Sequence, residues 1–323
     1  MSFLVFCVLA SLVLITFYSN SKKISIKTNL YKKYNDNTPL TGGVGIFLFF
    51  ISGISYLYYV EDTIVPKSIY IILFASVIFL IGVLDDIYNI SYKFRLFSIF
   101  TLIFVFINLD NRFLINQLYF ETFNQTILLN FSSYFLTSLF ILLFMNSINM
   151  ADGINGNSAL IFLVYIFLFY NKTVELNYFL ILICVSLLIF LFFNLNNKLY
   201  MGDSGIYFLS FLISIYVIYN YKFSSLNLSC EKIFLVFMIP GIDMFRLFCL
   251  RIYCKKNPFK GDMNHFHHIL FRKLKLKYAL IVYISLILWP NLLDSILDIN
   301  KLILILMNVV LFFTIIFFFK KTE

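Results

Sequence analysis

Long runs of apolar residues restrict the fold of this chain more than any other feature of its sequence. A helix needs roughly 20 apolar residues to cross ~30 Å of hydrocarbon. Because 61% of the residues are hydrophobic and 13% are charged, far from the usual soluble composition, we expect an all-α, polytopic membrane helix bundle of about eleven spans. Ten spans is the alternative. The runs are 3–17, 44–59, 69–84, 94–109, 134–148, 159–170, 178–194, 206–219, 233–250, 278–292 and 302–319.

The basic residues predict the direction in which the chain crosses the membrane. Most of the 25 lysines and arginines fall in loops on one side if the amino terminus lies outside, and cytoplasmic loops are enriched in these residues. We therefore expect an outer amino terminus and a cytoplasmic carboxyl terminus. Lys22 and Lys23 follow the first run and no basic residue precedes it, which favours a retained anchor over a cleaved signal. The same sorting explains the net charge of +9, so nucleic acid is not an expected partner.

The chain is expected to form one membrane domain, 1–323, because no fixed-period repeat or Pro-rich linker divides it. In the predicted outer loop 110–133, β-branched and aromatic residues are separated by polar ones, which indicates a hairpin or a surface helix. The five cysteines show neither redox nor metal-ligand spacing. We expect the function to lie in the predicted cytoplasmic loops, near 20–43, 85–95, 149–157, 195–205 and 251–277.

Two adjacent carboxylates stand at the predicted cytoplasmic end of the third run. Asp85 and Asp86 directly follow Leu84, and their side chains diverge by about 100° on a helix. One carboxylate can hold a metal ion or a basic partner while the other takes a proton, because close like charges separate their pKa values. A solvated helix end is the alternative interpretation.

A polar segment ends the fifth run. Asn146, Asn149 and Asp152 recur every three residues, which places them on one helical face, and the glycines within 153–156 then end the helix. Amides, a carboxylate and flexible backbone at one point suit a metal ion, a phosphate or a base edge. A polar capping turn is the alternative.

The segment Met201-Gly-Asp-Ser-Gly205 opens the eighth run. Free backbone N–H groups and the helix dipole favour anions at such a position, whereas Asp203 would favour a cation. As a helix N-cap, Asp203 would need no further role.

All three histidines of the chain, His265, His267 and His268, lie in the long basic loop before the tenth run. This confinement favours phosphate or sugar contact, or proton transfer. Zinc is a weaker alternative, since it would need a further ligand.

Two further groups complete the polar set. Asp243 and Arg246 lie three residues apart within the ninth run, where unpaired charge is costly, so they should pair or face a wet cavity. Segment 38–43 carries a proline and two glycines before the second run, which by itself is a helix-start signal. Under a topology chosen from Lys and Arg alone, all these clusters fall on the cytoplasmic side, which favours a common site.

Together these residues resemble the polyprenyl-phosphate N-acetylhexosamine-1-phosphate transferase family, membrane enzymes that load a sugar phosphate onto a lipid carrier. The resemblance is ordered and covers nearly the whole chain, and the family's eleven-span members also place the amino terminus outside. The matching positions are Thr38-Pro39, Gly42-Gly43, Asp85-Asp86, Asn146 to Gly156, Gly202 to Gly205, Pro240 with Asp243 and Arg246, and Pro258 to His268.

The resemblance implies transfer of an N-acetylhexosamine-1-phosphate from a UDP-sugar to undecaprenyl phosphate, with release of UMP, at the bacterial cytoplasmic membrane. It also implies Mg²⁺, with Mn²⁺ as an alternative ion. The expected partners are UDP-N-acetylhexosamine, undecaprenyl phosphate and the bilayer. The resemblance leaves open whether the protein forms a homodimer.

The resemblance also assigns roles to individual residues. Asn149 and Asp203 would hold the metal ion, Asp85 would be the base for the lipid phosphate, and Asn155 would lie near the uracil. The implied catalytic residues are Asp85, Asp86 and Asp152. The implied substrate-binding residues are Thr38, Pro39, Gly42, Gly43, Arg95, Asn155, Gly202, Asp243, Arg246, His265, His267 and His268.

Two details refine the resemblance. The sequence His265-Phe-His267-His268 is similar to the branch used for O-antigen, enterobacterial common antigen and teichoic acid linkage units. The peptidoglycan-precursor branch, with phospho-N-acetylmuramoyl-pentapeptide transferase, carries three consecutive histidines and ranks second. The family usually has Ser after Gly-Asp-x-Gly, whereas this chain has Ile206, and the lost hydroxyl would weaken a phosphate contact.

Two other classes remain as alternatives. A transporter or flippase would also have many helices, but transporters tend to carry inverted repeats and a midplane site, whereas the polar clusters here lie at one face. An inactive relative that only assembles with other membrane proteins would be expected to lose the carboxylates, which are all present.

Overall fold

The protein is a bundle of long apolar helices with one small β-hairpin. The computed structural model describes residues 2–28, 38–61, 65–170, 176–223, 228–258, 262–297 and 299–321. The α-helices in these ranges are α1 (Ser2–Thr28), α2 (Gly42–Glu61), α3 (Val65–Tyr88), α4 (Tyr92–Leu109), α5 (Ser132–Ala151), α6 (Asn157–Phe169), α7 (Asn177–Leu195), α8 (Gly202–Phe223), α9 (Cys230–Tyr253), α10 (Phe266–Lys273), α11 (Leu276–Leu297) and α12 (Lys301–Lys321). The strands are β1 (Gln117–Phe120) and β2 (Gln125–Leu128).

Each predicted apolar run lies in a helix of its own, which confirms the fold class. Within the described ranges, nine helices are long and apolar enough to cross a bilayer. The other two runs form shorter apolar helical stretches, Val5–Asn20 and Asn157–Phe169. Helix α10 is short and lies in the predicted cytoplasmic loop. The chain is therefore a multi-pass membrane protein, and its outer amino terminus remains a prediction.

Helix α8 runs through the centre of the bundle. In the most apolar 18-residue stretch of α8, 89% of the residues are buried. The corresponding share is half or less for every other long helix in the described part of the chain. Helices α2, α3 and α5 pack around it. Ser204, Ser210 and Ser214 are among its buried residues, and small residues of this kind let membrane helices approach closely. The residues at the start of α8 are consequently held from several sides.

Glycines bring α2 and α3 against the first turn of α8. A Cβ added to Gly43 would lie 2.4 Å from the backbone nitrogen of Gly205, and a Cβ added to Gly82 would lie 2.4 Å from the Cα of Ser204. Neither position has room for a side chain, so the backbones themselves are in contact there.

The loop 110–133 forms a hairpin, which confirms the first of the two predicted alternatives. Strands β1 and β2 pair antiparallel, with Gln117 opposite Leu128. In the turn, the N–H groups of Glu121 and Thr122 donate to the carboxylate of Glu231 at 3.2 and 3.1 Å. The hairpin is thereby tied to the start of α9, at the opposite end of that helix from the histidine loop.

Gly43→Ala should destabilise the protein, because the new methyl group would meet the backbone of Gly205 at 2.4–2.5 Å. Overpacking of a tight interface costs about 1–3 kcal/mol. We expect the temperature at which the detergent-solubilised protein loses its monodisperse size-exclusion peak to fall by several degrees. Gly241→Ala is the matched control, since nothing lies within 4 Å of a Cβ there. An equal response of the two variants would contradict the close contact of α2 and α8.

Candidate functional site

A polar cavity of about 750 Å³ opens where α4, α5, α8, α9 and the segment before α10 meet. Six of the predicted site residues share its wall, which brings together segments far apart in the sequence. These residues are Arg95, Asn149, Asp152, Asp203, His265 and His268.

Two further cavities adjoin the polar one. A smaller cavity of about 370 Å³ shares Asp152, Gly153, Met263 and His268 with it. An apolar cavity of about 450 Å³ lies between α5 and α9 and shares Leu143, Met244 and Phe245 with the polar cavity. The polar cavity and the apolar cavity therefore share part of their walls, on the membrane-length helices α5 and α9.

Arg95 lies between two carboxylates at the base of the polar cavity. Its Nη1 is 2.7 Å from Oδ2 of Asp85 and 4.0 Å from Oδ2 of Asp203. Asp85 is 4% exposed, and a buried carboxylate needs such a partner. Asp85 therefore holds a basic partner, as one branch of the sequence interpretation expected, and it lies behind Arg95 rather than on the cavity wall.

Asp86 points in a different direction from Asp85 and accepts backbone hydrogen bonds. The N–H groups of Asp203 and Ser204 donate to its two oxygens at 2.8 and 3.1 Å. These are orphan donors of the first turn of α8, where the helix dipole also favours a negative charge. Gly202 has φ +77° and places its Cα against this carboxylate, because a Cβ there would lie 2.6 Å from Oδ2 of Asp86.

The end of α5 presents its polar residues to the cavities as the three-residue spacing predicts. Helix α5 ends at Ala151. Oδ1 of Asp152 accepts from the Ser158 hydroxyl at 2.6 Å, which fixes the carboxylate between the polar cavity and the smaller cavity. Asn155 donates from Nδ2 to Oδ1 of Asn197 at 2.5 Å, in the wall of the smaller cavity.

The segment 38–43 lies beside the site and braces it. The N–H groups of Gly42 and Gly43 donate to the carbonyls of Tyr200 and Met201 at 3.0 and 2.9 Å, and Tyr200 N–H donates to the carbonyl of Pro39 at 2.9 Å. Thr38 is buried. None of these four predicted substrate-binding residues, Thr38, Pro39, Gly42 and Gly43, is among those that line the described cavities.

Parts of two predicted site loops, residues 29–37 and 259–261, lie outside the described residues.

Asp243 and Arg246 form the ion pair that their spacing predicts and hold the histidine loop in place. Arg246 Nη2 is 2.6 Å from Oδ1 of Asp243 and donates to the Asn264 carbonyl at 2.7 Å. Oδ2 of Asp243 contacts Nδ1 of His265 at 3.0 Å and accepts from the N–H of Phe266 at 3.1 Å. This pair positions the loop from inside α9.

The histidine rings pack against the glycine after Asp152. A Cβ on Gly153 would lie 2.0 Å from Nε2 of His267, so only glycine fits there. His267 is 1% exposed, and burial, with the nearby His268, lowers its pKa well below the usual value. Burial likewise lowers the pKa of His268, to about 4. Both rings are therefore neutral at physiological pH, so His268 meets ligands in the cavity as a hydrogen-bonding group.

Three residues to which sequence analysis assigned no role also belong to the site. Arg251 and Asp262 line the polar cavity and pair at 3.0 Å. Burial would raise the pKa of Asp262, but hydrogen bonds from Arg251 and the Asn264 N–H outweigh it and lower that pKa.

Tyr207 lies four residues after Asp203 on the same helical face of α8. That spacing is the sequence signal that could have identified Tyr207 as a residue of the site.

The pKa of His268 predicts how stability depends on pH. A histidine in the unfolded chain has a pKa of about 6.5, and the folded value is about 4. Between these values the unfolded state binds more protons, so the free energy of unfolding should fall as pH falls from about 6.5 to 4. His268→Gln should reduce this fall, measured as the melting temperature in detergent at pH 7 and pH 5. An identical fall in the wild type and the variant would rule out this contribution.

A family profile covers most of the segments that form the site. The sequence model of glycosyl transferase family 4 matches residues 68–221, a stretch that includes Asp85, Arg95, Asn149 and Asp203. It begins within α3 and ends within α8, so it holds Asp152 and the site amides as well, but neither Asp243 nor the histidine loop.

Curated relatives cover more of the chain. The chain is 24% identical over 264 residues to the undecaprenyl-phosphate alpha-N-acetylglucosaminyl 1-phosphate transferase of Escherichia coli (strain K12), covering 78% of this chain and 71% of the relative. It is 27% identical over 267 residues to the protein of that name from Thermotoga maritima, covering 81% and 78% respectively. It is 27% identical over 260 residues to a probable undecaprenyl-phosphate N-acetylglucosaminyl 1-phosphate transferase of Bacillus subtilis (strain 168), covering 76% and 71%.

The ordered carboxylate and asparagine motifs meet at one cavity, in a fold of membrane-length helices. The profile match over residues 68–221 and these relatives support glycosyl transferase family 4 as the family that this chain resembles.

Proposed function

We propose that this protein transfers an N-acetylhexosamine-1-phosphate from a UDP-sugar to undecaprenyl phosphate and releases UMP, at the bacterial cytoplasmic membrane. The observation that carries this proposal is that a polar cavity lined by Arg95, Asn149 and Asp203 adjoins an apolar cavity between α5 and α9 and shares wall residues with it. Such a site can receive a water-soluble phosphate donor and a lipid together. The names of the relatives support the same reaction. The proposal includes its place as the first membrane step of a cell-surface polysaccharide.

The smaller cavity suits the nucleoside part of the donor. Asn155 and Asn197 offer amide groups that can bond to a base edge, and Tyr200 and Phe271 offer aromatic rings for stacking. Asp152 lies on the boundary with the polar cavity, where the diphosphate of a bound UDP-sugar would follow the base.

The residues at the base of the polar cavity fit Mg²⁺. Asp203 and Asn149 line it together and provide a carboxylate and an amide oxygen, the hard oxygen donors that Mg²⁺ prefers. Among the described residues, no three His, Cys, Asp or Glu side chains form a metal-binding group. Mg²⁺ commonly combines one or two protein carboxylates with substrate phosphates and water, and such a shared site is what this donor set allows. The bound ion would neutralise charge on the diphosphate.

The transfer can be written with the residues in place. An oxygen of the lipid phosphate attacks the sugar-bearing phosphorus and forms a new P–O bond. The P–O bond to the nucleoside phosphate breaks, and its electron pair leaves with UMP. Arg95, anchored by Asp85, lies where it can neutralise phosphate charge, and Asp85 becomes available to take the last proton of the lipid phosphate when Arg95 engages that phosphate. Positioning and charge neutralisation supply most of the catalysis in phosphoryl transfer.

The proposed reaction predicts which carboxylates are essential. Asp203→Asn and Asp85→Asn should each lower transfer by about 100-fold or more, measured as labelled sugar-1-phosphate moved from UDP-N-acetylglucosamine to undecaprenyl phosphate in purified membranes with Mg²⁺. Asp110→Asn is the matched control: Asp110 is buried and pairs with Arg112 at 2.7 Å, but it lies at the other end of α4. Absence of lipid-linked product with every UDP-N-acetyl sugar tested would overturn the proposal.

The apolar cavity predicts a separate effect on the lipid. Gly241 lines this cavity and has open space around its missing Cβ. Gly241→Phe should fill that space and raise the KM for undecaprenyl phosphate several-fold, while the KM for the UDP-sugar stays unchanged. Gly241→Ala should have little effect on either constant. Equal changes in both KM values for the Phe variant would argue against this cavity as the place of the lipid tail.

A further inference from the structure

Tyr207 places a hydroxyl group at the junction of three helices. The residue lies in α8 and is 2% exposed. Its Oη is 3.2 Å from Nδ2 of Asn149 on α5 and 3.4 Å from Oδ2 of Asp85 on α3. Both neighbours are polar residues of the candidate site, and neither is close to Tyr207 in the sequence.

The direction of these two contacts follows from their chemistry. A carboxylate oxygen that is held by a guanidinium accepts hydrogen bonds, so the O–H of Tyr207 points toward Asp85. That contact is long for O–H···O, since the same Asp85 oxygen is held by Arg95 at 2.7 Å. With its proton committed, the Tyr207 oxygen accepts from its other neighbour. Asn149 must therefore turn its NH₂ group toward Tyr207.

The orientation of this amide determines what Asn149 offers to a ligand. An asparagine side chain has a donating nitrogen at one end and an accepting oxygen at the other. With Nδ2 bound to Tyr207, Oδ1 is the polar atom left for a ligand in the cavity. A flipped amide would present N–H groups instead, which repel a cation.

The ring of Tyr207 supports a second group of the site. The guanidinium carbon of Arg95 lies 5.8 Å from the ring centroid, within the range of a cation–π contact. The hydroxyl and the ring thus act on different neighbours, and their effects can be separated by removing the hydroxyl alone.

We propose that Tyr207 is a positioning residue whose hydroxyl orients the Asn149 amide so that its oxygen can bind a divalent cation. This inference rests on the proposed function for the identity of the ligands. It goes beyond that function by assigning to α8 a second contribution to the cation site, four residues after Asp203.

Tyr207→Phe tests the inference because it removes the hydroxyl and keeps the ring. We expect kcat to fall about tenfold and the Mg²⁺ concentration for half-maximal transfer to rise about tenfold, as for other groups that orient a metal ligand. The KM for undecaprenyl phosphate should stay unchanged. Binding of Mn²⁺ to the purified protein without substrates, measured by the EPR signal of the unbound ion, should weaken in parallel.

Tyr216→Phe is the matched control. Tyr216 is also 2% exposed on α8, and its hydroxyl bonds to Asn177 at 2.9 Å, outside the described cavities. Equal effects of the two variants, or an unchanged metal dependence in Tyr207→Phe, would overturn the inference.

A double-mutant cycle separates positioning from general damage to the fold. In an Asn149→Ala background, Tyr207→Phe should weaken Mn²⁺ binding no further, because Tyr207 acts through Asn149. An undiminished effect in that background would also overturn the inference. If the wild type showed no transfer at all, the proposed function would fail, whereas the Mn²⁺ comparison would still decide the role of Tyr207.

Discussion

The contact between the Asp86 carboxylate and the first turn of α8 is the interaction on which the site depends. Helix α8 begins inside the bundle, away from most solvent, with N–H groups that its own backbone cannot satisfy. Each buried donor left without a partner would cost about 1–3 kcal/mol. Asp86 accepts two of these donors, so it fixes the start of α8 against α3. The side chain of Asp203 then projects into the polar cavity from a turn that is already held.

This contact also explains why two neighbouring aspartates have different surroundings. On a helix their side chains diverge by about 100°, and the structure puts a helix terminus on one side and a guanidinium on the other. Asp86 meets backbone N–H groups, whereas Asp85 meets Arg95. Each carboxylate therefore has a different kind of hydrogen-bond partner. Asp86 stabilises the packing of α8 against α3, and Asp85 holds the guanidinium of Arg95 at the site.

Sequence patterns were sufficient for features that depend on local periodicity or composition. The apolar runs predicted the helices, the three-residue spacing of Asn149 and Asp152 placed both on the cavity wall, and the spacing of Asp243 and Arg246 predicted their ion pair. Features that depend on which helices meet could not be found in this way. The capping role of Asp86, the contact of 38–43 with Tyr200 and the reach of Tyr207 to α3 and α5 all join distant segments, and a single sequence carries no signal for such contacts.

The position of an apolar cavity directly beside the polar one changes how the protein would meet its lipid. A ligand whose tail occupies the space between α5 and α9 need not leave the bilayer when its headgroup changes. Its encounter rate would depend on its number per area of leaflet, and a product with a longer headgroup would depart sideways by diffusion in two dimensions. Occupancy of the site would then respond to the lipid composition of the membrane as strongly as to the concentration of the soluble donor.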